Sequence, residues 1–236
     1  MQSVLTAFRF LAVGGRFDEA ESRHERSAVV ALFFPLVGLV IGLSLAIVNR
    51  ALEPHLESEL LAVVLTATML LITRAVHLDG TLQTFETLTD GPAFGESARP
   101  THVQGWLVVL LVVLLKIRAI EVIGDTRTLS LLVTPVLARW SLVIFLYGAA
   151  PNAEEFVAAV ARKVRGWHLL VTTIATLAFA VYLVGRVGLW VGLYVSLLAL
   201  LTRSVLRRSR GAYSYDNLGA LIELSEALSL VLFASL

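Results

Sequence analysis

Seven apolar runs, parted by short polar segments, constrain this chain more than any other feature of it. They lie at roughly 28–48, 60–72, 105–123, 129–147, 167–184, 187–201 and 218–236. A bilayer core needs about 20 apolar residues per spanning helix, and these runs approach that length. Charged residues make up only 16% of the chain, against roughly 25% in soluble domains. The expected fold is therefore all-α: a polytopic transmembrane helical bundle of about seven spans, with six to eight defensible. Two runs are short. The second spans only if it continues through Arg74 toward His77, and the sixth is parted from the fifth by Gly185-Arg186. That pair marks either a tight hairpin or one broken unit. With no internal repeat and no low-complexity stretch, residues 1–236 read as a single integral membrane domain.

The ends and loops add orientation. Val4, Leu5, Phe8, Leu11 and Ala12 give residues 1–26 an amphipathic pattern. It fits a cytoplasmic or interfacial helix, or a plain apolar leader; a signal peptide's long apolar core and cleavage site are missing. Positive loops stay in the cytoplasm. With seven spans and the N-terminus inside, thirteen Lys/Arg residues fall on inside segments and three, Arg50, Arg127 and Arg186, outside. The expected location is the cytoplasmic (inner) membrane, with lipid as surroundings and any active face cytoplasmic. The chain has no cysteine, which excludes disulfides, thiolate metal sites and a cysteine nucleophile. A net charge of +1 says little about partners; no nucleic acid is expected, and a homo-oligomer stays open.

The chemistry must come from two polar clusters. Residues 74–104 form a cytoplasmic polar segment in which Asp79, Gln83, Glu86 and Asp90 recur at i, i+4, i+7 and i+11. That spacing places them on one helical face. Such a face is either solvated or joined by a cation, and Mg²⁺ takes carboxylates together with substrate phosphates. Glu96, Ser97 and Arg99 follow; Arg99 could clamp a phosphate or serve as a topogenic charge. His77 and His102 are possible bases or ligands. The second cluster is Asp216, with Glu223 and Glu226 one to three turns further. Ionisable residues inside spans are functional suspects, which adds Lys116, Arg118, Glu121 and Arg139. Internal ion pairs, such as Lys116 with Glu226, are the competing reading. No Walker A loop, GxSxG, HExxH or zinc spacing is present.

In this order the clusters resemble the cobalamin-5′-phosphate synthase family, the adenosylcobinamide-GDP ribazoletransferases. Ala31-Leu32-Phe33-Phe34-Pro35-Leu36-Val37-Gly38 matches that family's F-P-L-V/I-G stretch, and His77-Leu78-Asp79-Gly80 opens its H-L-D-G-L-A-D-T-x-D-G motif. Asp216-Asn217-Leu218-Gly219-Ala220 with Glu223 and Glu226 matches G-D-x-L-G-A-x-x-E-x-x-E, while Lys116 and Arg139 fall on a family lysine and arginine. The later motif aspartates stand here as Gln83 and Glu86, and the glycine before Asp216 as Tyr215. The resemblance implies a transferase of cobamide nucleotide-loop assembly. Such an enzyme joins adenosylcobinamide-GDP to α-ribazole or its 5′-phosphate, releases GMP and needs Mg²⁺. It further implies Asp79, Gln83, Glu86 and Glu96 at the metal, and His77, Arg99 and Asp216 in catalysis. Lys116, Arg139, Glu223 and Glu226 are implied at the substrate. A divergent phosphoalcohol transferase with another acceptor, a non-catalytic membrane scaffold and, less so, a transporter are the competing functions.

Overall fold

The structure, a computed structural model, describes residues 30–89, 103–148, 153–208 and 213–236. The expectations for residues 1–26 and for Asp90, Glu96, Arg99 and His102 lie outside these residues. Among the described residues every regular element is helical. A 3₁₀ turn, Ala31–Phe33, leads into α1 (Phe34–Leu52). Then follow α2 (Ser58–Ile72), α3 (Val76–Thr89), α4 (Val103–Val122) and α5 (Arg127–Leu146). The chain ends with α6 (Glu155–Lys163), α7 (Gly166–Val184), α8 (Arg186–Arg208) and α9 (Tyr215–Ser235). Six of these, α1 with its leading turn, α4, α5, α7, α8 and α9, are long and apolar enough to cross a bilayer. The bent pair α2–α3 makes a seventh if counted as one span. The chain is an integral membrane protein built on the seven runs.

Helix α5 is the axis of the bundle. Its apolar window is 83% buried, against 22% for α7 and 28% for α8, whose leucines and aromatics face outward. Helix α1 lies along α5 because Gly38 and Gly42, four residues apart, let the backbones touch. A Cβ at Gly38 would sit 2.3 Å from the Pro135 carbonyl oxygen, and one at Gly42 2.4 Å from that of Leu132. Membrane helices lack a hydrophobic drive toward one another, so small-residue stripes of this spacing set their packing. Gly188 and Gly192 do the same between α8 and α7, against Ala180 and Leu177. The α7–α8 turn is a tight hairpin at Gly185, whose φ of +61° suits glycine.

One expectation is corrected. The second apolar run does not continue as a straight helix through Arg74 toward His77. Helix α2 stops at Ile72, and α3 departs at 84° to it. Thr73 turns its hydroxyl back to the Met69 carbonyl at 3.1 Å, and Ala75 N–H reaches the Leu70 carbonyl. Such back-bonding competes with the helix ladder. Arg74 and Ala75 then take positive φ values of 53° and 55°, a conformation that costs a non-glycine residue energy.

Local ties gather one end of the bundle. Gly105, at the start of α4, packs on Leu82 of α3. Arg203 of α8 donates to the Tyr147 carbonyl at the end of α5 at 2.6 Å, and also to that of Gly148. The Glu154 N–H, just before α6, donates to the Tyr213 carbonyl just before α9. This end therefore carries α3, α6 and the start of α9. At the opposite end Asn49 donates to Thr128 and Arg127 to Ser58.

Candidate active site

Helix α3 lies across the bundle end with two unlike faces. His77, Gly80, Thr81 and Thr84 are buried, while Asp79 and Gln83 are exposed and Glu86 is half-buried. The i, i+4, i+7 spacing thus yields one polar face. The Glu86 stem lies against Gly105 of α4.

The buried face meets the start of α9. Ser214 caps that helix, accepting from the Asn217 N–H at 3.3 Å, and the Asn217 side-chain oxygen accepts from the Ser214 N–H at 2.8 Å. The same Asn217 side chain donates across the seam to Thr84 Oγ at 3.0 Å. Two glycines let the backbones close. A Cβ at Gly80 would lie 2.7 Å from the Asp216 carbonyl oxygen and 3.1 Å from its Cα. A Cβ at Gly219 would lie 3.2 Å from the His77 Cα. With consecutive Cα atoms ~3.8 Å apart, the Cα atoms of Asp79 and Asp216 are within roughly 9 Å. Two segments more than a hundred residues apart in sequence thus meet at one seam. From outside, Glu154 accepts from the Tyr215 N–H at 3.0 Å, and Tyr213 packs edge-on against Phe145. Asp216 is half-buried.

The other four site candidates meet deeper in the bundle. Lys116 Nζ lies 2.6 Å from Glu223 Oε2 and 2.6 Å from Glu226 Oε2. Arg139 pairs with the second oxygen of Glu226. All four side chains are at most 4% exposed. Two cations and two anions cancel, and three helices, α4, α5 and α9, are joined by charge-assisted bonds where lipid and packed side chains offer no water. The pairing of Lys116 with Glu226 is the internal arrangement weighed from sequence. Any contact of these residues with substrate requires the pairs to open. Arg118, by contrast, is exposed and pairs with Glu121 on its own helix at 2.5 Å.

Sequence reasoning missed Thr84, Asn217, Gly80 and Gly219 as parts of one joint. All four lie inside the two motifs; the readable signal was small or amide residues interleaved with the acidic ones. Among the described residues no three carboxylate or imidazole groups converge into a ready metal cage. Asp79, Gln83 and Glu86 instead offer an oxygen-only set of donors along the polar face of α3. That set suits an ion that keeps waters and shares itself with substrate phosphates, as Mg²⁺ does.

Comparison with known proteins identifies the family of the chain. The cobalamin-5-phosphate synthase family matches residues 3–234. An adenosylcobinamide-GDP ribazoletransferase of Syntrophobacter fumaroxidans is 35% identical over 218 residues, covering 84% of this chain and 83% of that protein. The protein of that name from Pseudomonas entomophila is 31% identical, with 85% of each chain covered. That from Geotalea daltonii is 28% identical, with 95% and 94% covered. No solved structure matches. With nearly the whole chain matched and both polar motifs meeting in one seam, the chain belongs to the cobalamin-5-phosphate synthase family.

Proposed function

We propose that this protein is a membrane adenosylcobinamide-GDP ribazoletransferase that works at the α3–α9 seam. The observation that carries the reading is the joining of the two motif segments by Gly80 and Gly219, which brings the backbone at Asp79 within roughly 9 Å of that at Asp216. In the reaction a hydroxyl of α-ribazole, or of its 5′-phosphate, attacks the cobinamide-bearing phosphorus of adenosylcobinamide-GDP. A new phosphorus–oxygen ester bond forms, the pyrophosphate bond breaks, and GMP leaves with the bridging oxygen.

The chain's residues divide that task by position. Asp79 and Glu86, supported by Gln83, offer oxygens on the polar face of α3 and would hold Mg²⁺ there. When bound, the ion supplies charge neutralisation at the phosphate oxygens. Asp216, half-buried at the start of α9, is the carboxylate assigned to the proton of the attacking hydroxyl, which must leave during bond formation. His77 is buried on the face turned to Gly219; it serves as base only for a substrate that enters the seam. Glu96 and Arg99 are carried over from the resemblance as metal support and phosphate clamp. The buried quartet holds α9 in register, and its substrate contacts are reserved for an opened state.

The seam end of the bundle carries Arg74, Arg162, Lys163, Arg165, Arg203, Arg207 and Arg208, against Arg50, Arg127 and Arg186 at the other. That bias supports a cytoplasmic active face in the inner membrane. An impermeant maleimide added outside intact cells should leave an Arg208→Cys variant unlabelled; labelling would reverse the topology. For the activity, purified protein in detergent is incubated with adenosylcobinamide-GDP, α-ribazole and Mg²⁺, and GMP release is measured. Release that needs both substrates and stops with EDTA is the expected result. No release from a folded preparation with either acceptor form would overturn the reading.

A further inference from the structure

The Asn217 side chain is used twice. Its oxygen closes the cap of α9 on the Ser214 N–H, and its nitrogen reaches Thr84 on α3. Both residues are nearly inaccessible, Asn217 at 5% and Thr84 at 4%. Each lies next to a residue of the proposed site: Thr84 follows Gln83 and precedes Glu86 by two, and Asn217 follows Asp216. This hydrogen bond joins the side chains of α3 and α9, beside the close backbone approaches at Gly80 and Gly219. Glycine contacts fix how near two helices come, but a stripe of bare backbone lets one helix slide or rotate on the other. A directional bond is what sets register. A helix bent off its predecessor at two positive-φ residues also lacks the stiffness of a continuous span to hold that register.

We propose that Thr84 and Asn217 are a pair of positioning residues that lock α3 to α9 and so set the Asp79 face relative to Asp216. The pair touches no substrate and acts through the carboxylates beside it. The proposal rests on the seam being the reactive site. Its size follows from geometry, since a misplacement of about 1 Å can cost on the order of 100-fold in rate.

The test uses Thr84→Val, which keeps the shape and removes the acceptor oxygen, and Thr84→Ser, which keeps the oxygen. Each is placed in the full-length protein and assayed for transfer. In parallel each is combined with Gln83→Cys and Asp216→Cys, which the cysteine-free chain permits without background. Spin labels at the two sites then report their separation through dipolar broadening. The expected result is a kcat lowered about 10- to 100-fold by Thr84→Val, a KM for adenosylcobinamide-GDP that moves far less, and near-complete recovery in Thr84→Ser. Broadening should weaken in the Thr84→Val background and return in Thr84→Ser. If Thr84→Val does not survive purification, Asn217→Ser, too short to span the seam, carries the same readouts. Unchanged kcat together with unchanged broadening in either folded variant overturns the proposal. Should wild-type protein show no transfer at all, the transferase reading fails, yet the spin-label arm still decides whether this pair holds the seam.

Discussion

Helix α9 carries carboxylates into two settings that could hardly differ more. At its start Asp216 stands half-buried with its backbone close against Gly80 of α3. Two to three turns further, Glu223 and Glu226 are buried and closed on Lys116 and Arg139. The same chemical group serves two ends because its surroundings differ. In the interior every charge meets an opposite charge, since an unpaired one would be prohibitive in lipid. At the seam Asp79 and Glu86 share the polar face of α3, with Asp79 exposed and Glu86 half-buried. Repulsion there is tolerable in water and becomes useful when a cation and a pyrophosphate arrive. The interior therefore holds the fold, and the seam is where we propose the chemistry.

The largest expected effect tests the interior half of that contrast. Lys116→Met removes one cation from a network that otherwise balances, leaving Glu223 without its lysine. Breaking a buried pair on one side typically costs about 3–5 kcal/mol, a large fraction of total stability. The expected result is a much lower yield of monodisperse protein and a lower midpoint in a detergent thermal-aggregation assay. Lys116→Met combined with Glu223→Gln should regain part of the loss, because the remaining charges again match. A Lys116→Met protein as stable as wild type would mean the quartet does not hold the bundle.

Asp79→Ala probes the other half. Its side chain is exposed, and surface substitutions usually stay within about ±0.5 kcal/mol. Transfer should fall to background while the thermal midpoint hardly moves. Activity that survives this change, or that ignores EDTA, would remove the metal-site reading. The two variants should thus separate cleanly, one losing fold and the other losing only turnover.

A graded pair examines the seam between them. Gly80→Ala would place a Cβ 2.7 Å from the Asp216 carbonyl oxygen, and Gly219→Ala would place one 3.2 Å from the His77 Cα. The first demands that backbones part; the second asks for a few tenths of an ångström. Alanine favours a helix over glycine by up to about 1 kcal/mol, which offsets part of either cost to stability. Turnover has no such offset. GMP release should drop more in Gly80→Ala than in Gly219→Ala, with both proteins folded by thermal assay. The reverse order would contradict the seam geometry.

How much of this was readable beforehand follows the range of the interactions. The seven runs and the charge bias are local in sequence or additive along it, so they were legible; the hairpin at Gly185-Arg186 was legible as one of two readings. The Lys116–Glu226 pairing was legible as one of two readings, because a charge in an apolar run must find an opposite charge. The break after Ile72 was not. Its signal is neither glycine nor proline but a threonine back-bond and two non-glycine residues at positive φ, which local propensity argues against. The seam was half legible. Its carboxylates announced themselves, whereas Thr84 and Asn217 look like ordinary polar residues until the fold sets them 3.0 Å apart.

The smallest expected effect sharpens the contrast at a single position. Gln83 stands between Asp79 and Glu86 on the open face of α3 and is itself exposed. It supplies an oxygen but no charge, so this face holds two carboxylates where the family motif that it resembles holds three. Fewer anionic oxygens offset less of the cost of dehydrating a hard cation, so the ion leans more on substrate phosphate. Gln83→Asp restores the charge with a side chain one methylene shorter. In water at the surface an added like charge raises repulsion on α3 by only about 1 kcal/mol at close range, so the fold should persist. The Mg²⁺ concentration giving half-maximal GMP release should fall a few-fold, with kcat at saturating Mg²⁺ little changed. In the interior the same change of charge would be ruinous; at the seam it should be mild and favourable. A half-maximal Mg²⁺ concentration that stays put or rises would show that Gln83 lies outside the ion's reach and that Asp79 and Glu86 act without it.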